Sequence, residues 1–288
     1  MTPDFLVAGH IVQDLLPGPD GGWRLGGAAS YASLLAHKFG LRTAVLTSCS
    51  DDLPLADLLP GIETCVVPGE HTTQFRNVYE AGGQRRQSIP QRAAPLTAAD
   101  LPAEWRDARI VLLGPVIAEV DASLAAAFSP ETLVGAGAQG WLRETTADGA
   151  VRPIPYGRWD ARPLLEHTRA LFLSDEDLPF DDAPVALAEW GALVEVLAFT
   201  RGYGGADVCH RGEWRRIDPF PANPTDLTGA GDTFAAAFLI RYAETGDPWD
   251  AARYAAAAAS LVIEGAGVEG VPTREMVEGR LALGSQAT

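Results

Sequence analysis

The amino-acid sequence predicts an α/β fold built on a mostly parallel, doubly wound sheet. Three observations carry that reading. Phe5–Gly9 is a short apolar run ending in glycine, the pattern of a buried strand. Gly26 and Gly27 then open a helix over Ala28–Phe39, Gly40 stops it, and Thr43–Thr47 reads as the next strand, which completes a βαβ unit. Last, Asn223–Phe238, NPTDLTGAGDTFAAAF, passes from a turn-rich approach through two glycines into a long run of helix formers.

Further elements follow in order. Asp14 opens a Pro/Gly-rich stretch that ends near Gly22. Between His71 and Arg92, mixed polar and apolar residues flank Gly82–Gly83, which predicts a hairpin. Ile110–Gly114 and Glu131–Gly135 read as buried strands. The following GAGAQG places Gly135, Gly137 and Gly140 at G-x-G-x-x-G spacing, but a turn at Thr145–Gly149 leaves no room for the helix a dinucleotide site requires. Ala170–Leu173 and Val194–Thr200 are strand-like, and Ala206–His210 with Glu213–Ile217 forms a hairpin about Arg211–Gly212. Gly246 ends the long helix; Asp247 and Pro248 begin another.

Composition narrows the function. The chain has 288 residues, 47% of them apolar and 21% charged, which suits one folded core. A net charge of −16 disfavours nucleic acid and anionic membrane as partners, since both require a positive footprint. No run approaches the ~20 apolar residues that span a bilayer. The amino terminus reads as a strand and not as a signal peptide, so a cytoplasmic protein is expected. Cys49, Cys65 and Cys209 stand far apart, as reduced thiols would, and the histidines never fall at metal-ligand spacing. Lys38 is the only lysine and no G-x-x-x-x-G-K-[ST] precedes it, which excludes a P-loop enzyme.

The chemistry points to the TGAGD corner. Gly229 and Gly231 lack Cβ atoms, so backbone N–H groups can approach an anion at the start of a helix whose first turn carries unpaired donors and partial positive charge. Asp232 beside such a hole adds a second negative charge, which suggests phosphoryl transfer: the carboxylate orients an attacking hydroxyl and takes its proton while the Gly229–Ala230–Gly231 amides hold the transferred group. The helix start is expected to keep Asp232 ionised. A simple capped helix start is the competing explanation.

Asp226–Asp232, DLTGAGD, resembles the C-terminal signature D-T-x-G-A-G-D of the ribokinase (PfkB) carbohydrate kinase family, with Leu227 in place of threonine. GGAASYASLLAHKFG is similar to that family's N-terminal signature G-G-x-x-x-N-x-A, with Tyr31 where asparagine is usual. The resemblance implies a three-layer α/β/α ribokinase-like fold over residues 1–288, with a small β-sheet lid formed by segments near 10–25 and 71–93. It implies Asp232 as catalytic base, and Asp14, Gly26, Gly27, Tyr31 and Asn77 beside the acceptor. Thr200, Gly202 and Gly205 fit T-x-G-x-x-G along the nucleotide phosphates, with Arg201 and Thr228 beside them. Gly265 and Gly267 are candidates for contact with the nucleotide or a monovalent cation. The family's N-x-x-E, whose glutamate helps hold Mg²⁺ through water, is here Ser174 and Asp177, with Glu176 a competing carboxylate.

The implied activity is transfer of the γ-phosphate of ATP, with Mg²⁺, to a sugar or related polyol, and the lid offers an edge for a homodimer. A nucleoside kinase with Tyr31 stacked on a base is the rival of the same fold. A non-catalytic nucleotide sensor is the rival of another class.

Overall fold

The structure is a computed structural model describing residues 1–18, 21–79, 85–179 and 181–284. In chain order the strands are β1 (Phe5–Ala8), β2 (Val12–Leu15), β3 (Trp23–Gly26), β4 (Thr43–Cys49), β5 (Glu63–Pro68), β6 (Thr73–Tyr79), β7 (Arg85–Gln91), β8 (Ile110–Leu113), β9 (Leu133–Gly137), β10 (Arg143–Thr145), β11 (Val151–Pro153), β12 (Ala170–Ser174), β13 (Val196–Thr200), β14 (Ala206–His210) and β15 (Glu213–Ile217). The helices are α1 (Ala28–Lys38), α2 (Leu55–Leu58), α3 (Arg162–Leu165), α4 (Ala183–Gly191), α5 (Ala230–Thr245), α6 (Pro248–Val262) and α7 (Arg274–Gly284).

Nine strands form one sheet in the order β15-β14-β13-β12-β9-β8-β1-β4-β5. From β13 to β5 every pairing is parallel; only β14 and β15 run antiparallel. Alternate residues of each strand supply two separate cores, as the period-2 geometry of a strand requires. Phe5, Val7, Val45, Leu112, Phe172 and Val196 face α1, α5 and α6 on one side. Leu6, Leu46, Val111, Val134, Leu171 and Phe199 face α4 and the α3 region on the other. This is the three-layer arrangement expected from the sequence. No helix of the described residues is long and apolar enough to cross a membrane.

A second sheet, β3-β2-β6-β7, stands apart with its own small core of Val12, Phe75, Ile89, Val116 and Ile117. Its strands come from the two segments expected to form the lid. β2 and β3 pair antiparallel and flank the Pro/Gly-rich stretch that opens at Asp14. The β6–β7 hairpin is present, while its proposed Gly82–Gly83 turn lies outside the described residues.

Two other expectations shift. The strand expected at Glu131–Gly135 begins two residues later, because Thr132 turns back to Ser129 through its N–H and caps the Ala108 carbonyl with its hydroxyl. Beyond it, Ala138–Leu142 is a 3₁₀ turn leading into β10, so GAGAQG opens no α-helix. Two of its glycines, Gly135 and Gly140, are there for packing. A Cβ on Gly135 would lie 2.6 Å from Leu239, and one on Gly140 would lie 2.5 Å from the Pro115 carbonyl. Gly140→Ala should therefore cost about 1–3 kcal/mol of stability through overpacking against backbone. Urea unfolding checks this; an unchanged midpoint would mean that Gly140 is not a packing residue.

Candidate active site

The site forms where α5 begins. Gly229 is its N-cap, in the left-handed region at φ 80°, and no side chain caps the helix there. The first-turn amides are thus presented without a protein carboxylate taking them, as an anion hole requires. The two glycines have different work. A Cβ on Gly229 would collide with the ring of Tyr31, whereas nothing lies within 4 Å of a Cβ built on Gly231. Gly229 lets α1 and α5 meet closely; Gly231 faces open space.

Tyr31 consequently does not occupy the place expected for it. Its side chain is buried, with the ring against Gly229, so it cannot stack on a base in this arrangement. Its hydroxyl has no hydrogen-bond partner in the structure. Burial, then the charges of Asp226, Asp232 and Asp14, push its pKa above the ordinary tyrosine value, and Arg24 only partly opposes them.

Asp232 sits in the first turn of α5, half-buried. Burial first, then repulsion from Asp177 and Asp14, push its pKa up to about 6, with Arg143 pulling the other way. Desolvation and two neighbouring carboxylates thus outweigh the helix dipole, which alone would lower the pKa.

Asp14 lies on β2 directly opposite Arg24 on β3, and its carboxylate fills the space that a Cβ on Gly26 would need. Gly27 caps α1 at φ 86°, and a Cβ there would sit 2.7 Å from the His10 carbonyl. Asn77 on β6 accepts a 3.1 Å hydrogen bond from Gln87 on β7. Gln87 in turn accepts from Arg143 on β10 at 3.4 Å. Arg143 is mostly buried, and its guanidinium lies 3.8 Å from Asp177. Sequence reading overlooked Arg143; the only signal was a basic residue just after a glycine-rich run that ends a central strand.

Asp177 is 4% exposed. Its Oδ2 accepts from both the N–H and the hydroxyl of Ser174 at 2.8 Å, so Ser174 orients this carboxylate. Its Oδ1 makes no hydrogen bond, and its charge partner in the structure is the Arg143 guanidinium at 3.8 Å. Glu176, the competing candidate, is exposed. Among the described residues no group of three or more His, Cys, Asp or Glu side chains could hold a metal ion, so a Mg²⁺ near Asp177 would draw most of its ligands from water and phosphate.

On the donor side, Thr200 ends β13, and Gly202 and Gly205 both take positive φ in the loop that follows. Arg201 does not stand ready for a phosphate. It is paired with Asp207 at 2.7 Å and lies over the Phe199 ring, while Arg216 holds the other oxygen of Asp207. Gly265 makes the close approach to Gly270, whose backbone a Cβ would strike. Gly267 is different: its N–H reaches Asp226 Oδ2 at 3.2 Å. Thr228 donates to Asp226 Oδ1 through its N–H at 3.0 Å and its hydroxyl at 2.7 Å. Arg24 reaches across from the small sheet to Asp226 at 2.6 Å. Arg24 also escaped sequence reading, because nothing in WRLG marks an arginine that crosses to a partner 202 residues away.

The raised pKa of Asp232 has a signed consequence. Between about pH 4 and 6 the folded protein holds a proton that the unfolded chain, with an ordinary aspartate near 3.9, has released. Stability therefore falls as pH rises through that window, and the full cost is present at neutral pH. Asp232→Asn should raise stability at pH 8 by about 1–2 kcal/mol once solvent screening is allowed for, read as a higher melting temperature, and the gain should vanish below about pH 4. A gain that is the same at every pH would contradict the shifted carboxylate.

Residues 170–274 match the pfkB family carbohydrate kinase family. A ribokinase of Bacillus subtilis (strain 168) is 36% identical over 132 residues, 44% of this chain and 45% of that protein, so the match spans less than half of the relative's length. Among solved structures, a pyrophosphate-dependent kinase in the ribokinase family, complexed with a pyrophosphate analog and myo-inositol, superposes with a TM-score of 0.79 at 20% identity, covering 96% of this chain and 99% of that one. Arabidopsis thaliana ribokinase complexed with ribose and ATP superposes with a TM-score of 0.74 at 23% identity, covering 98% and 99%. These two likenesses establish the shared fold. The region that matches the pfkB family lies on the strands and helices that build the α5 corner.

Proposed function

We propose that this protein is a single-domain kinase that transfers the γ-phosphate of ATP to a hydroxyl of a sugar or related polyol, with its small sheet acting as the lid. The observation that carries the reading is the juxtaposition at α5: a carboxylate with a pKa near 6 in the first turn of a helix whose amides are uncapped and whose glycine at 231 faces open space. Asp232 takes the proton of the acceptor hydroxyl as the acceptor oxygen bonds to the γ-phosphorus and the bridging bond to ADP breaks. A pKa near 6 leaves it mostly ionised at neutral pH while making it a better base than an ordinary aspartate. The amides around Gly231 hold the charge on the transferred group. Asp14, Asn77 and Gln87 line the acceptor side, and Thr200, Gly202, Gly205, Thr228 and Gly267 the donor side. Asp177 is the carboxylate that would hold Mg²⁺ through water, and such an ion supplies charge neutralisation for the phosphates. Free thiols accord with a cytoplasmic setting, and the exposed Leu16 and Val78 on the small sheet accord with a homodimer through the lid.

The test is product formation across neutral sugars, cyclitols and nucleosides, with Mg-ATP and with pyrophosphate as donors in parallel, because the pyrophosphate-using relative has the same fold. Acceptor-dependent ADP formation is expected. Asp232→Asn should lower kcat by at least about 10²-fold while ATP still binds. Gly231→Ala should fold normally and lose turnover to a similar extent, since a methyl there meets no protein atom but intrudes on the anion. Turnover only with pyrophosphate would replace the donor. Full activity in Asp232→Asn would remove the catalytic assignment, and ligand-induced stabilisation without turnover would favour a sensor.

A further inference from the structure

The resemblance to the family leads one to expect a monovalent cation near the Gly265–Gly267 loop, beside the anion hole. The side chain best placed to receive it is Asp226, which stands between that loop and the residues leading into α5. Its oxygens are already fully engaged. Oδ1 accepts from the Thr228 N–H and hydroxyl, and Oδ2 accepts from Arg24 Nη1 and the Gly267 N–H. Those four contacts match the roughly four lone-pair sites of a carboxylate. A metal cation would have to displace one of them, and one is itself a cation at 2.6 Å. The donor set therefore does not fit a separate monovalent ion.

We propose that Arg24 is the built-in cation of this corner: its guanidinium, delivered by β3 of the small sheet, takes the place of a bound monovalent metal ion and fixes Asp226 so that Thr228 and Gly267 are ordered beside the anion hole. Arg24 is a positioning residue that acts through Asp226. Its carrier strand matters. β3 belongs to the small sheet, so the charge that orders the donor side arrives with the element that covers the acceptor side. Burial alone would raise the Asp226 pKa, yet the hydrogen bonds from Thr228, the charge of Arg24 and the Gly267 amide together hold it below the ordinary value, as a permanently engaged carboxylate requires.

The experiment compares the parent, Arg24→Ala and Arg24→Lys in potassium, sodium and tetramethylammonium chloride at matched ionic strength. Melting temperature is read for each, and turnover where the kinase reading of the preceding section supplies an acceptor. The parent should melt and turn over equally in all three salts. Arg24→Ala should lose roughly tenfold or more in kcat in tetramethylammonium. It should regain part of that loss, and part of its melting temperature, with potassium or added guanidinium. Arg24→Lys should stay close to the parent. A parent that is activated or stabilised by potassium over tetramethylammonium overturns the proposal. So does an Arg24→Ala protein that only raises KM for the donor, with no recovery in potassium, since Arg24 would then be a plain phosphate contact. If no acceptor turns over, the kinase reading fails separately and the melting series decides alone: a potassium response confined to Arg24→Ala supports the built-in cation, and the same response in both proteins, or in neither, rejects it. If Arg24→Ala does not fold, the parent's salt series and Arg24→Lys decide on the same terms.

Discussion

Four carboxylates converge on the first turn of α5, in a chain whose net charge is already −16, and the structure around them is arranged to make that tolerable. Asp226 is neutralised by Arg24 and saturated with hydrogen bonds. Asp177 is pinned by Ser174 and faces Arg143. At Asp232 the pull of Arg143 is outweighed by burial and by Asp177 and Asp14, so it bears the cost as a raised pKa. That asymmetry sets Asp232 apart from its neighbours without any change of residue type, because environment alone decides which carboxylate is fixed and which can exchange a proton.

The balancing cations come from outside the layer that carries α5. Arg24 is on β3 of the small sheet, and Arg143 starts the β10–β11 hairpin and bonds to Gln87 of β7. The small sheet is therefore coupled to the body electrostatically as well as by its own apolar residues. Packing imposes a second coupling. Tyr31 fits only because Gly229 lacks a side chain, so α1 and α5 are set at one spacing by a single phenol ring.

Much of this could be read from the residues before any coordinates. Short apolar runs gave β1, β8, β12 and β13 within a residue or two, since a strand buried on both faces leaves a plain hydrophobic signature. Gly229, Asp232, Gly246, Asp247 and Pro248 delimited α5 and α6 because caps are local chemistry. What escaped was long-range or carried by mixed strands. β2, β3 and β5 are partly exposed and lack clean alternation, so nothing in their sequence outweighed the nearby Pro and Gly. The roles of Arg24 and Arg143 depend on partners far away in sequence, and the fate of Arg201 was decided by Asp207 on the neighbouring strand. Burial of Tyr31 could not be foreseen either, because it depends on the approach of a glycine from a distant helix.

The pairing of β2 with β6 has a kinetic side. These strands run parallel, and the chain between them makes β3, α1, β4, α2 and β5 before it returns. Closing that crossover costs loop entropy which only the finished β1–β4–β5 layer can offset, so the small sheet is assembled after the body and not as an independent hairpin. With a core of few residues it is also the region most easily opened in the native state. Amide protons of β2 and β6 would then exchange with solvent well before those of β1, β8 and β12, through excursions that leave the large sheet intact. The small sheet would thus be both the last part of the chain to form and the first to open.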